Sequence, residues 1–199
     1  MASFSKAEVG TLTDTLRKVQ RRMSKQRIYV FCGPDMTGKT EISKEWSKFT
    51  GIPRFKASSE HTTYLGSKDR FVQQLRYADT RMVDFLGQTG HSVIFDRAWP
   101  CEYAYSKVFN RDTDLRALRE VDSAYAALET WIIITGRTSY ESIIDDIDPG
   151  ITEETLKKIH CAYTEFMTWT KCRVLYLPVD DEDLEREIKD IMIGTGLCA

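Results

Sequence analysis

The chain has 199 residues, with 28 Lys and Arg against 30 Asp and Glu, giving a net charge of −2 and a pI near 6.0. That balance excludes a polycation that grips nucleic acid over its whole surface, and the length suits a single domain, residues 1–199, around one core. The five cysteines (Cys32, Cys101, Cys161, Cys172 and Cys198) are odd in number and lack a C-x-x-C pair. With no secretory leader and no apolar run long enough to span a bilayer, they argue for free thiols in a cytoplasmic protein rather than a disulfide framework or a zinc site.

In chain order, the first element is an amphipathic helix within residues 1–25. Leu12, Leu16, Val19 and Met23 recur at spacings of four, three and four, while Arg17, Lys18, Arg21, Arg22, Lys25 and Arg27 crowd its end. A solvated basic face is the favoured reading, and contact with a nucleic-acid backbone is the alternative. A strand follows at 27–32, carrying Ile28, Tyr29, Val30, Phe31 and Cys32.

Next comes Gly33-Pro34-Asp35-Met36-Thr37-Gly38-Lys39-Thr40, which matches G-x-x-x-x-G-K-[ST] at every fixed position and runs into a helix over 39–49. The strand–loop–helix setting is what makes this motif a phosphate-binding loop. Glycines at 33 and 38 let successive backbone N–H groups turn toward phosphate oxygens, and the helix adds its positive end. Lys39 is placed for the β- and γ-phosphates, and the Thr40 hydroxyl for Mg²⁺. The eight residues are therefore assigned to a nucleoside triphosphate.

Further strands are predicted at 53–57, 91–96, 131–135 and 173–178, and helices at 67–87, 112–128, 152–170 and 181–192. Such alternation predicts an α/β fold: a five-stranded, mainly parallel sheet with helices on both faces. Ligands then sit beyond the carboxyl ends of the strands. At the end of the third strand stand Asp96 and Arg97, followed by Ala98-Trp99-Pro100-Cys101-Glu102-Tyr103-Ala104-Tyr105. An aspartate there can hold the hydration shell of Mg²⁺, and the adjacent arginine can clamp a phosphate through two parallel bonds. A surface ion pair is the competing reading.

This stretch resembles the Asp-Arg-Tyr-x-x-Ser-x-x-Ala-Tyr-Gln motif of the thymidylate kinases, within the wider group of deoxynucleoside and deoxynucleoside monophosphate kinases. Asp96, Arg97, Ala104 and Tyr105 match it, whereas Ala98, Cys101 and Ser106 depart from it. The resemblance covers about residues 27–108. It implies a P-loop nucleoside monophosphate kinase-like fold and transfer of phosphate from ATP, with Mg²⁺, to a deoxynucleoside monophosphate, most closely dTMP or a related pyrimidine. In that family an acid at the position of Asp35 approaches the acceptor 3′-hydroxyl. Leu75 to Arg81 is similar to the family's Leu-Phe-x-Ala-Asp-Arg helix, whose arginine reaches the nucleotide. Arg70 and Arg81 fall on one helical face and Arg76 well away from it, at about 100° per residue, so Arg70 and Arg81 are the favoured pair. Trp99 and Tyr105 are candidates to stack on a base.

Two regions depart from the family. Its arginine-rich lid corresponds to 136–155 here, where Arg137 stands among acids. Lys157 and Lys158, or Arg111, Arg116 and Arg119, are alternative sources of cations. After the second strand, Glu60 is the candidate acceptor-side carboxylate. A homodimer is implied by the resemblance alone. The rival functions are a deoxynucleoside kinase using Glu60 as base, a kinase acting on a modified base or an end in DNA, and a non-catalytic nucleotide-binding protein.

Overall fold

The computed structural model describes residues 25–56, 81–111, 113–141, 151–181 and 183–197. The predicted N-terminal helix, Glu60, Arg70 and residues 142–150 of the candidate lid lie outside those residues. Strand β1 (Ile28–Cys32) leads through the phosphate loop into helix α1 (Lys39–Thr50), followed by β2 (Arg54–Lys56). Residues 81–89 are helical and end at Gly90 before β3 (Val93–Asp96). Then come α2 (Trp99–Val108), α3 (Leu115–Ala127), β4 (Trp131–Gly136), α4 (Glu153–Trp169), β5 (Arg173–Pro178) and α5 (Leu184–Gly194).

All strand pairs are parallel, in the order β2-β3-β1-β4-β5. After β3 the chain crosses to the far side of β1 to make β4. The change of direction opens a crevice at the carboxyl end of β1, where the phosphate loop begins. The register sets Phe31 beside Asp96 and Cys32 beside Ile134, so both the loop and the Asp96-Arg97 step leave the sheet at one level.

Why β1 reads as an unbroken apolar run is clear from its two faces, both covered. Tyr29 and Phe31 pack with Ile42 and Trp46 of α1, Ile191 of α5 and Ile94 and Ile133 of the neighbouring strands. On the other face Ile28, Val30 and Cys32 join Trp99, Tyr125, Tyr163 and Phe166 from α2, α3 and α4. Side-chain alternation thus feeds two cores from five consecutive residues.

The predicted strands, and the predicted helices that fall on described residues, are found within a few residues of their expected bounds, with one omission. Helix α2 escapes the sequence reading because Trp99, Pro100, Cys101, Glu102, Tyr103, Ala104 and Ser106 are all buried. A helix wrapped on nearly every side has no single apolar stripe to betray it. Pro100 in its first turn suits a helix start, where no amide hydrogen bond is lost.

Candidate active site

The loop is locked to the sheet by a pair of threonines. Gly33 has φ +146°, and a Cβ there would fall 2.3 Å from the Thr135 carbonyl oxygen, so the backbones approach too closely for any side chain. The Thr37 hydroxyl is buried, donates to the Pro34 carbonyl at 2.7 Å and lies 2.6 Å from the Thr135 hydroxyl. Thr135 also reaches the Cys32 carbonyl at 3.2 Å. Sequence reasoning does not single out Thr135, although its position at the end of β4 beside the loop is a signal.

At Gly38 the chain turns left-handed, φ +65°, and starts α1 without any side-chain cap. Helices α3, α4 and α5 each have one: Asp114, Thr152 and Asp183 accept from backbone N–H groups of their first turns. The first-turn N–H groups of α1 are thus left to a ligand, and an anion is what their dipole favours.

Lys39 is buried at 4% exposure, with Nζ donating to the Pro34 carbonyl at 2.8 Å and standing 3.4 Å from Asp35 Oδ1. Arg97 donates to that same Oδ1 at 2.5 Å, and the Tyr105 hydroxyl to Oδ2 at 2.6 Å. Two cations therefore converge on one carboxylate. Burial opposes the charge of Asp35, but Lys39, Arg97 and Tyr105 overcome it and hold its pKa below the ordinary value. Burial, then Arg97, depresses Lys39 against the pull of Asp35. Burial and the Asp35 charge raise the Tyr105 phenol, which stays a donor.

Arg97 adopts φ +73°, a left-handed conformation that costs a non-glycine residue roughly 1–3 kcal/mol. Its N–H bonds to the Phe31 carbonyl at 3.0 Å, and its guanidinium lies 5.6 Å from the Tyr105 ring centre. The strained turn is what aims the side chain back over the loop instead of along β3.

Asp96 is fully buried, and its Oδ2 accepts from the Thr40 hydroxyl at 3.0 Å and from Arg54. Its Oδ1 is buried with no hydrogen-bond partner among the described residues. Thr40 gives its single proton to Asp96 and keeps its lone pairs. A hydroxyl with free lone pairs beside an unsatisfied carboxylate oxygen fits a hydrated divalent cation, as Mg²⁺ is usually held. Arg54 has no place in the sequence reading because it precedes the carboxyl end of its strand.

On the far side of the loop, Arg137 Nε donates to the Met36 carbonyl at 3.0 Å. The Arg137 amide donates to the Tyr140 hydroxyl at 3.3 Å, and that hydroxyl meets His160 Nδ1 at 2.9 Å. Among the other cations named above, Lys157 and Lys158 pair with Glu153 and Glu154 one turn away. Arg116 pairs with Glu120, while Arg111 and Arg119 lie over Phe109 and Trp169. Arg137 is the lid-region cation that the structure brings onto the loop.

No protein-family model matches the sequence, and no curated protein matches it either. Solved structures do. The YorR protein of Bacillus subtilis, in complex with phosphorylated GDP, superposes with a TM-score of 0.64 at 19% identity, over 85% of this chain and 96% of that one. A deoxyadenosine kinase from M. mycoides with bound dATP gives 0.56 at 20% identity, over 86% and 100%. A thymidylate kinase from Ehrlichia chaffeensis gives 0.57 at 13% identity, over 85% and 98%. The chain has a P-loop nucleotide-kinase fold.

Within this fold the structure brings Gly33 to Thr40, Asp96, Arg97, Tyr105 and Arg137 together around the loop. Trp99 is not among them. It has no exposed surface, stacks on Tyr125 with ring centres 4.3 Å apart, and donates from Nε1 to Asp122 at 3.2 Å. It is a core pillar beneath Arg97 and cannot meet a base. The Tyr105 hydroxyl orders Asp35 and Arg97. Arg81 is exposed at the start of the helical residues 81–89, and Glu60 and Arg70 lie outside the described residues.

Proposed function

We propose that the protein is an ATP- and Mg²⁺-dependent kinase that phosphorylates a deoxynucleoside monophosphate, dTMP or a closely related pyrimidine nucleotide. The observation that carries this reading is the shared carboxylate: Lys39 on the loop and Arg97 after β3 both touch Asp35 Oδ1. Transfer between two phosphates calls for a cation on each side of the moving phosphoryl group, and little covalent chemistry besides. Lys39 faces the donor phosphates, and Arg97, with its planar fork, suits the phosphate of the acceptor. Arg137 supplies a third positive group at the loop's other edge.

Mg²⁺, held through Thr40 and Asp96, would neutralise charge between the β- and γ-phosphates. Asp35 is a poor general base, since its lowered pKa leaves little affinity for a proton. That favours an acceptor that already carries an ionised phosphate over a sugar hydroxyl. In this reading Asp35 instead accepts the 3′-hydroxyl proton of the acceptor sugar in a hydrogen bond. The matched folds include both a thymidylate kinase and a deoxyadenosine kinase, so the choice between acceptors rests on these residues.

The test is ATP-to-ADP turnover against a panel of deoxynucleosides, deoxynucleoside monophosphates and short DNA, for the wild type and Arg97→Ala. Monophosphates should be preferred, and Arg97→Ala should impair them most. Faster turnover of unphosphorylated nucleosides, equally damaged by the substitution, would replace this reading with a deoxynucleoside kinase that takes its base from Glu60.

A further inference from the structure

We infer that Arg54 is a positioning residue for the divalent cation: it pins one oxygen of Asp96 so that the other stays directed at the cation's hydration shell. The inference rests on the kinase reading above.

Arg54 starts the edge strand β2, in register with Ile94, and so shares a sheet face with Asp96 two residues further along β3. Its side chain runs toward the carboxyl end of the sheet and is 17% exposed. There one nitrogen, Nη2, bonds Asp96 Oδ2, while Nε donates to Ser43 Oγ at 2.8 Å. Ser43 in turn donates to the Thr40 carbonyl at 2.9 Å. A single guanidinium therefore ties three elements together: β2, the first turns of α1, and the end of β3.

The consequence falls on the carboxylate. With Thr40 and Arg54 both on Oδ2, rotation of the Asp96 side chain would break two bonds, one of them charge-assisted. Among the described residues Oδ1 is left buried and unmatched, a condition that disfavours itself unless a further partner completes it. Charge matters as well: Arg54 sets a guanidinium against a carboxylate that has no exposed surface, so the buried charge has a countercharge beside it. Lysine in this place could supply the charge but not the fixed planar pair of donors, Nε and Nη2, that meets Ser43 and Asp96.

Two other roles are distinguishable by sign. If Arg54 were a stand-in that the cation must expel, removing it would strengthen metal binding. If the pair served stability alone, metal binding would not move. The experiment measures the Mg²⁺ concentration for half-maximal binding of a fluorescent ATP analogue, with Mn²⁺ and its paramagnetic signal as an independent probe. Wild type, Arg54→Gln and Arg54→Lys are compared, none requiring turnover. Loss of a residue that orients a metal-holding side chain commonly weakens metal affinity about 10–100-fold.

Arg54→Gln should raise the half-saturating concentration by about that factor, and Arg54→Lys by less, with metal-free analogue binding unchanged. An unaltered or lowered half-saturation in both variants overturns the inference. Arg54→Lys, which keeps the charge, decides the matter alone should Arg54→Gln fail to fold. Wild-type binding with no Mg²⁺ dependence would overturn both the clamp and the kinase reading, whereas dependence that survives unchanged in the variants overturns the clamp alone.

Discussion

Helices α1 and α5 pack on the same face of the sheet, through Trp46 and Ile42 from one and Ile191 from the other, yet their first turns are built on opposite plans. In α5, Asp183 accepts from the Arg186 amide at 3.0 Å, and Glu185 and Glu187 follow in the first turn. A side-chain cap and first-turn acids, both of which stabilise a helix start, are present. In α1 the cap is a left-handed glycine with no side-chain bond, and the first two residues are Lys39 and Thr40. A lysine at a helix N-terminus opposes the dipole. The same orphan N–H groups exist in both helices: α5 satisfies that of Arg186 from its own sequence, and α1 has no side-chain cap and leaves its own open to the phosphates of the proposed nucleotide. A departure from local stability marks the working end of the molecule.

The largest expected effect lies on α1. Lys39→Ala should lower kcat by about 10²–10³, the usual cost of removing one charge-stabilising group from a transition state. Its thermal midpoint should change little, because Asp35 keeps Arg97 and Tyr105 as partners. Retention of more than a tenth of wild-type kcat would remove the loop from catalysis.

Asp35→Asn is expected to rank next. It exchanges an acceptor-only carboxylate for an amide of nearly equal size. Hydrogen bonds to charged groups contribute about 1.5–3 kcal/mol. The preference in kcat/KM for a 3′-hydroxyl acceptor over its 3′-deoxy analogue should therefore fall roughly tenfold or more. An unchanged ratio would return Asp35 to a purely loop-ordering role.

The mirror experiment is on α5. Asp183→Ala should destabilise the protein by about 1 kcal/mol, the typical cost of a lost cap, and leave nucleotide affinity untouched. Denaturant titration and analogue binding measure the two sides. Loss of affinity without loss of stability would erase the contrast between the helices.

How legible was this arrangement? The loop, Asp96 and Arg97 were readable because each sits at a strand end where the chain must turn, and because glycine and lysine have few reasons to recur at that spacing. The alternation of strands and helices was readable from apolar periodicity. What stayed hidden depends on packing between distant segments. Thr135 and Arg54 act across the sheet, 98 residues from Thr37 and 42 from Asp96 respectively, and neither belongs to a local pattern. Trp99 misled for a related reason. An aromatic side chain a few steps beyond a strand end looks like a ligand platform, but the left-handed turn at Arg97 sends the next residues inward, and Trp99 goes with them onto Tyr125. Local sequence placed the turn and could not say which side chain it would face outward.

The smallest effect is expected where the loop takes support from a group that titrates. Arg137 holds the Met36 carbonyl, and its own amide donates to the Tyr140 hydroxyl, whose partner is His160 Nδ1. The phenol, its pKa pushed up to about 12 chiefly by burial, remains protonated, and we assign its proton to the bond with Nδ1. This requires neutral His160 with its proton on Nε2. Burial lowers the His160 pKa below its ordinary 6.5, so the folded protein binds that proton less readily than the unfolded chain. The stabilisation is complete above pH 6.5 and declines as the pH falls below it toward the folded value. His160→Asn keeps an acceptor and loses the titration. The wild-type thermal midpoint should therefore drop more steeply than that of the variant as the pH falls from 6.5 toward the folded value. The difference should be small, because the ring is only partly buried and water still reaches it. Parallel curves across that interval would show that protonation of His160 does not reach the Tyr140 contact or the Arg137 edge of the loop.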